Sequence, residues 1–227
     1  MAAINLGPGV FMGAYSSVGG SSTNNSGIVK IGSLSGDATS NVGGGTWQIG
    51  TDNRDAIFRG VFGSGATVTK SGTRKWTLTN ASTLTSTFSV TDGSLIVQNT
   101  TGSATGTGNL SMSGSAILAG TGIIGGNANI NNSAKVMPGN NETALGTLTF
   151  SKNLSLTVGS TVVMKVISTA NDQLKVAGTL YLNGILDLRN LSGNWTDGKS
   201  YTLFVAPTIE GSFTTIIPEK PAENLVW

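Results

Sequence analysis

The stretch Gly108–Gly120, GNLSMSGSAILAG, is rewritten a few residues later at Gly126–Gly139 as GNANINNSAKVMPG. Asn109-Leu110-Ser111-Met112 aligns with Asn127-Ala128-Asn129-Ile130, Ser115-Ala116 with Ser133-Ala134, and Leu118 with Val136. A third copy, NLSLTVGSTVV, runs from Asn153 to Val163 with one residue inserted, and a looser fourth, GTLYLNGILDL, from Gly178 to Leu188. Each copy reads apolar-x-apolar, then Gly, Asn or Ser, then a second short apolar-x-apolar. Period two is the spacing of a strand, not of a helix. The breaks carry the residues that turns favour.

Earlier segments follow the same grammar: TWQIG at Thr46–Gly50, AIFRGVF at Ala56–Phe62, ATVTKSG at Ala66–Gly72, KWTLTN at Lys75–Asn80 and SLIVQN at Ser94–Asn99. Many short strands with frequent turns suit an antiparallel sandwich or barrel, or a parallel β-solenoid. Sandwich strands pair with partners of differing sequence, so a recurring phrase has no purpose there. A single β-coil cannot bury its apolar face; it needs neighbours of matching shape, and repetition supplies them. The expectation is therefore all-β: a right-handed, single-stranded parallel β-helix. Leu110, Ala128 and Leu154 should line one inward column, and Met112, Ile130 and Leu156 the next. Asn109, Asn127 and Asn153 should form a corner ladder, each side-chain amide bonding the next. The uneven copy offsets require coils of varying length, or a loop bulging between Met137 and Gly146. At roughly 20 residues per coil the chain would make about eleven coils and a rod of about 50 Å.

Composition removes most chemistry. The 227 residues include no histidine and no cysteine, and only 11% are charged. The commonest general base and metal ligand is missing, and with it thiol catalysis, zinc-thiolate sites and disulfides. Lys+Arg 13 against Asp+Glu 11 gives a net charge of +2 with no basic cluster, so nucleic acid is not an expected partner. No apolar run approaches the roughly 20 residues of a membrane-spanning helix.

What polar chemistry remains is sparse. Asp52 and Asp55 flank Arg54 and could offer oxygen ligands to Ca²⁺, but a solvated turn is the favoured reading. Asp187 and Arg189 share the outer face of ILDLRN, an arrangement that in a β-helix would suit a polysaccharide lyase. An exposed pair contributing under about 1 kcal/mol is the plainer account. Trp47 alternates with Ile49 and should face inward. Trp195, near Tyr201 in a polar loop, would stack on sugar or, the favoured reading, cover an end or seam of the rod.

The series Ala66-Thr67-Val68-Thr69-Lys70-Ser71-Gly72, Trp76-Thr77-Leu78-Thr79-Asn80-Ala81-Ser82-Thr83 and Val90-Thr91-Asp92-Gly93-Ser94-Leu95 resembles the autotransporter-associated β-strand repeat family. The segments LAGTGIIGG, MPGN and YTLFVAPTIEGSFTTIIP resemble its continuation, so the likeness spans about Gly45 to Pro218. Departures fall at Leu84-Thr85-Ser86 and Arg74-Lys75-Trp76. The resemblance implies a right-handed parallel β-helix within a bacterial surface-exposed or secreted protein, and it carries no catalytic residues. The expected organisation is a Gly/Ser-rich arm or first coils over 1–44, a solenoid over 45–218, and a C-terminal segment over 219–227. That last segment ends on Leu225-Val226-Trp227 and is expected to continue in the natural chain or to fold back as a cap.

The expected function is a non-catalytic stalk or passenger segment, adhesin-like and located outside the cell or on the bacterial outer surface. No catalytic, metal or cofactor-binding residue is assigned. Expected partners are other domains of the same longer polypeptide, then surface glycans or other cells. The alternative is an accessory, glycan-binding module beside a polysaccharide-degrading enzyme.

Overall fold

The computed structural model describes residues 1–13, 15–18, 21–24, 27–131, 133–193, 195 and 197–221. Among these, regular structure is entirely β, and the sheets are parallel apart from one short antiparallel pair, Tyr15–Val18 with Ser21–Asn24. The triplet Leu225-Val226-Trp227 lies outside the described residues.

The chain winds through three faces in turn. Sheet I has ten strands, from Ala3–Leu6 and Ser33–Gly36 at one end to Ile185–Asn190 and Thr215–Ile217 at the other. Sheet II has nine, from Ile28–Ile31 to Thr208–Gly211. The third face is less regular. Three strands (Phe11–Gly13, Asn41–Gly43, Val61–Phe62) lie at one end and four (Ile123–Ile124, Thr147–Phe150, Gln173–Val176, Phe204–Val205) at the other. Between them the chain crosses this face without strands, yet the backbone ladder continues. Thr83 N donates to Phe62 O at 2.8 Å, Ser82 N to Ser103 O at 2.7 Å, and Ala104 N to Ile123 O at 3.0 Å. This is a parallel β-solenoid; twisted parallel strands favour the right-handed sense in such connections. Ten strands at ~4.8 Å make a rod of roughly 45 Å, so the expected eleven coils become ten levels. Parallel pairing begins at Ala3, and Phe11–Gly13 pairs with Asn41–Gly43, so residues ahead of position 45 already form coils.

The columns read from the repeated phrases are present. Leu110 pairs with Ala128, Ala128 with Leu154, and Leu154 with Leu180 of the fourth copy. Met112 pairs with Ile130, and Ile130 with Leu156. On sheet I, Leu118, Val136, Val162 and Leu186 are successive partners. All of these are buried, because each coil supplies the apolar neighbour that the next one needs. Toward the N-terminal half, rings fill the lumen. Phe62 lies 4.9 Å from Phe58, 5.7 Å from Trp76 and 6.1 Å from Phe88, centroid to centroid. The two buried indole N–H groups here are satisfied: Trp76 Nε1 donates to Leu34 O at 2.9 Å and Trp47 Nε1 to Gly44 O at 2.8 Å. Trp47 and Ile49 both face inward as their alternation requires.

The corner between sheets II and I needs backbone that side chains disfavour. Gly72 has φ +77°, and a Cβ there would lie 2.0 Å from Gly50 O of the coil before. The asparagine ladder differs from expectation. Asn127 Nδ2 does approach Asn109 Oδ1, at 3.5 Å, but the stronger bonds run from amide oxygen to backbone. Asn127 Oδ1 accepts from Asn153 N at 3.3 Å, and Asn153 Oδ1 from Thr179 N at 2.9 Å. A corner N–H that leaves the sheet ladder needs an acceptor, and the asparagine one coil earlier supplies it.

Coil length varies freely. Asn109 and Asn127 are 18 residues apart, whereas Gly184 and Thr214, also bonded across one step, are 30 apart. The surplus goes into corners.

Candidate functional site

With so few charged residues, the chemistry available is settled by where each one goes. Asp52 Oδ2 accepts from Ser33 Oγ at 3.0 Å, and Asp55 Oδ1 accepts from the backbone N of Lys75 at 3.0 Å. Each carboxylate thus ties one coil to a neighbouring one. The Arg54 guanidinium, mostly exposed, comes only within 4.0 Å of the Asp52 carboxylate, whose Oδ1 accepts from the backbone N of Arg54 at 3.3 Å. Among the described residues no group of three or more acidic side chains converges.

Lys70 lies on the inward side of its strand, in line with the buried Ala66 and Val68, between Ile49 and Val90 of the adjacent coils. The side chain is 1% exposed. Its stem fills the column and its ammonium turns into the corner, donating to Gly72 O at 2.6 Å, Asp92 O at 2.8 Å and Ser71 O at 3.3 Å. Burial pushes its pKa down to about 8, against the pull of the Asp92 and Asp55 carboxylates. The parity of ATVTK, with Ala66 and Val68 inward, already places Lys70 on the inner side in the sequence itself.

Lys165 and Asp172 form the second buried charge site. Both side chains are fully buried, with Nζ 2.8 Å from Asp172 Oδ2. Lys165 sits on the outward side of sheet I, beside Arg189 of the next strand. Its Nζ also donates to Pro138 O at 2.5 Å, while Asp172 Oδ1 accepts from Gly146 N at 2.8 Å. Pro138 and Gly146 are the two ends of one loop, so the pair closes its base. Burial pushes the Asp172 carboxyl up, opposed by the hydrogen bonds from Lys165 and Gly146. This loop lies where the uneven repeat spacing allowed a bulge, between Met137 and Gly146, and coil length varies as well. Its turn is held by Asn141 Oδ1, which accepts from Thr143 N at 2.9 Å and Ala144 N at 2.7 Å.

Glu142, in the same loop, reaches Arg189. Arg189 in turn donates to Asp187 Oδ2 from Nε at 3.0 Å and Nη2 at 2.8 Å. The hydrogen bond to Asp187 holds the guanidinium above its ordinary pKa. The Asp187–Arg189 pair expected on one face is therefore present, and it fastens the loop to a strand two places along the sheet from the one where the loop began. On the same outward face an apolar cluster runs along four successive strands: Ile96 pairs with Ala119 and Ala119 with Met137, and Val163 of the next strand joins them, all 6% exposed or less. Runs such as Leu95-Ile96-Val97 and Val162-Val163-Met164 break the period-two rule; that break is the sequence mark of a strand buried on both faces.

Trp195 packs partly buried against the core and meets Tyr201 edge-on, with centroids 6.5 Å apart. Elsewhere, on the third face, Phe11 is 55% exposed. Its ring lies over Gly43, where a Cβ would come within 3.1 Å of it. It borders a groove of about 450 Å³ that also holds Asn41, Ser64 and Thr83. No family model and no curated protein matches the chain. Among the described residues no helix is long and apolar enough to cross a membrane.

Proposed function

We propose that the chain is a non-catalytic stalk or passenger segment of a bacterial surface-exposed or secreted protein, acting outside the cell by holding other domains of its polypeptide at a distance. The observation that carries this reading is the parallel ladder running through ten strands of sheet I. Each level of sheet I pairs in parallel with the next, so length is obtained by adding levels. The charged side chains fit the reading. Asp52, Asp55, Lys70, Lys165 and Asp172 all bond to neighbouring backbone or side chains of the scaffold. The likeness of Ala66–Leu95 to the autotransporter-associated repeat supports the same context.

The test is to incubate the purified chain with neutral and acidic polysaccharides, with and without Ca²⁺. The expected result is no cleavage. Cleavage that disappears in Arg189→Ala would replace the stalk with a lyase. The exposed Phe11 ring favours a second reading, an accessory module that binds glycans by stacking a sugar on that ring. A glycan array on which wild type binds and Phe11→Ala does not would select it.

A further inference from the structure

We propose that Lys165 and Asp172 condense into an intramolecular amide, joining the lysine Nζ to the aspartate Cγ as a covalent cross-link within the coil. The proposal is independent of the stalk reading and rests on how the two side chains are enclosed.

Three features place the groups for reaction. The first is encounter. Lys165 and Asp172 face each other across a short hairpin closed by the Val166–Asn171 bridge and by Ile167 N to Ala170 O at 2.8 Å. Asp172 N also donates to Lys165 O at 2.8 Å, so the backbone holds Nζ against the carboxyl at 2.8 Å. Reactants fixed in this way have already lost the entropy that slows a bimolecular condensation.

The second is the donors at the carboxyl group. Gly146 N–H points at Oδ1, and Lys165 N–H points at Oδ2, each at 2.8 Å. When the amine adds to Cγ, charge develops on Oδ1, where Gly146 N–H already sits. Oδ2 is the departing oxygen, and the Lys165 N–H assists it.

The third is the product. Both side chains are fully buried, and a buried ion pair carries a desolvation cost at each charge. A neutral amide carries no such charge. It still fits the cradle, because its one N–H reaches Pro138 O and its carbonyl Oδ1 accepts from Gly146 N. Burial also pushes the Asp172 carboxyl toward the protonated form from which water can leave.

The step balances within the pair. A proton passes from ammonium to carboxylate, giving an amine and a carboxylic acid. The Nζ lone pair forms the C–N bond, the Cγ–Oδ2 bond breaks, and a second Nζ proton leaves with that oxygen as water. No oxidant, nucleotide or metal is consumed. Lys70 provides an internal control: it is equally buried, but its Nζ hydrogen-bonds three backbone carbonyls, which offer no carboxyl group for condensation.

Mass spectrometry of the full chain under denaturing conditions tests the proposal. The expected mass is the sequence mass less one water. Trypsin should leave Asn153–Lys175 uncut at Lys165, also lighter by one water, because the acylated lysine is no longer a cleavage site. Lys165→Arg and Asp172→Ala should each restore the full mass for their sequence, and the second should restore cleavage after Lys165. An intact wild-type mass equal to that of the sequence overturns the proposal. So does a loss of water that maps to Asp92-Gly93 as a cyclic imide, with Lys165 cut normally.

Discussion

Lys165 and Asp172 hold opposite ends of the same loop: the lysine takes the carbonyl of Pro138 and the aspartate takes the N–H of Gly146. Removing one partner leaves the other buried without its counterpart. Asp172→Ala should cost about 3–5 kcal/mol, whereas Lys165→Met combined with Asp172→Leu should cost less than either single change. Denaturant unfolding gives both values. In Asp172→Ala the Gly146 amide should exchange hydrogen faster than in wild type, because its acceptor is gone.

Lys70 makes stability depend on pH in a direction of its own. Its folded-state pKa is about 8 against 10.5 for the free side chain. Above pH 10.5 both states are neutral at this residue, and the fold bears no charging cost. As pH falls toward 8 the unfolded chain takes up the proton first, and stability is lost; below 8 the loss levels off. Relative to Lys70→Met, the wild type should therefore gain roughly 2–3 kcal/mol between pH 7 and 10. Denaturant midpoints for the two proteins across that range give the difference, and a flat line would refute it.

Trp76 separates packing from hydrogen bonding. It is 3% exposed within the aromatic cluster, and its Nε1 donates to Leu34 O. Trp76→Ala should cost about 3–5 kcal/mol. Trp76→Phe keeps a ring and leaves the carbonyl unpaired, so it should cost about 1–3 kcal/mol. If the two substitutions cost the same in thermal unfolding, ring packing is not the larger contribution.

Gly72 tests the corner. Its left-handed φ, and the 2.0 Å that would separate an added Cβ from Gly50 O, leave no room for alanine. Gly72→Ala should destabilise by about 1–3 kcal/mol through strain and local displacement. An unchanged melting temperature would show that the corner relaxes without cost.

The legible part of the fold is the part that repeats. Leu110, Ala128 and Leu154 could be stacked in advance because strand parity and copy alignment name the same partners. Lys70 was legible too, by the parity it shares with Ala66 and Val68. The Asn109–Asn127–Asn153 ladder was half legible: the residues align in sequence, but whether an amide oxygen meets an amide or a corner N–H depends on local backbone direction. Lys165 and Asp172 were not. Asp172 enters its site through the hairpin at Ile167–Ala170, and its second partner, Gly146, comes from a loop 26 residues earlier. Phe11 was hidden for another reason: the glycine beneath its ring belongs to the next coil, and no copy of that stretch recurs.

The span between bonded neighbours stretches from 18 residues to 30 with the ladder intact. The axis and the perimeter of this molecule are therefore edited separately. Adding a level lengthens the protein, while lengthening a corner decorates it at constant height, so new recognition loops can be acquired on an architecture whose pitch never has to be renegotiated.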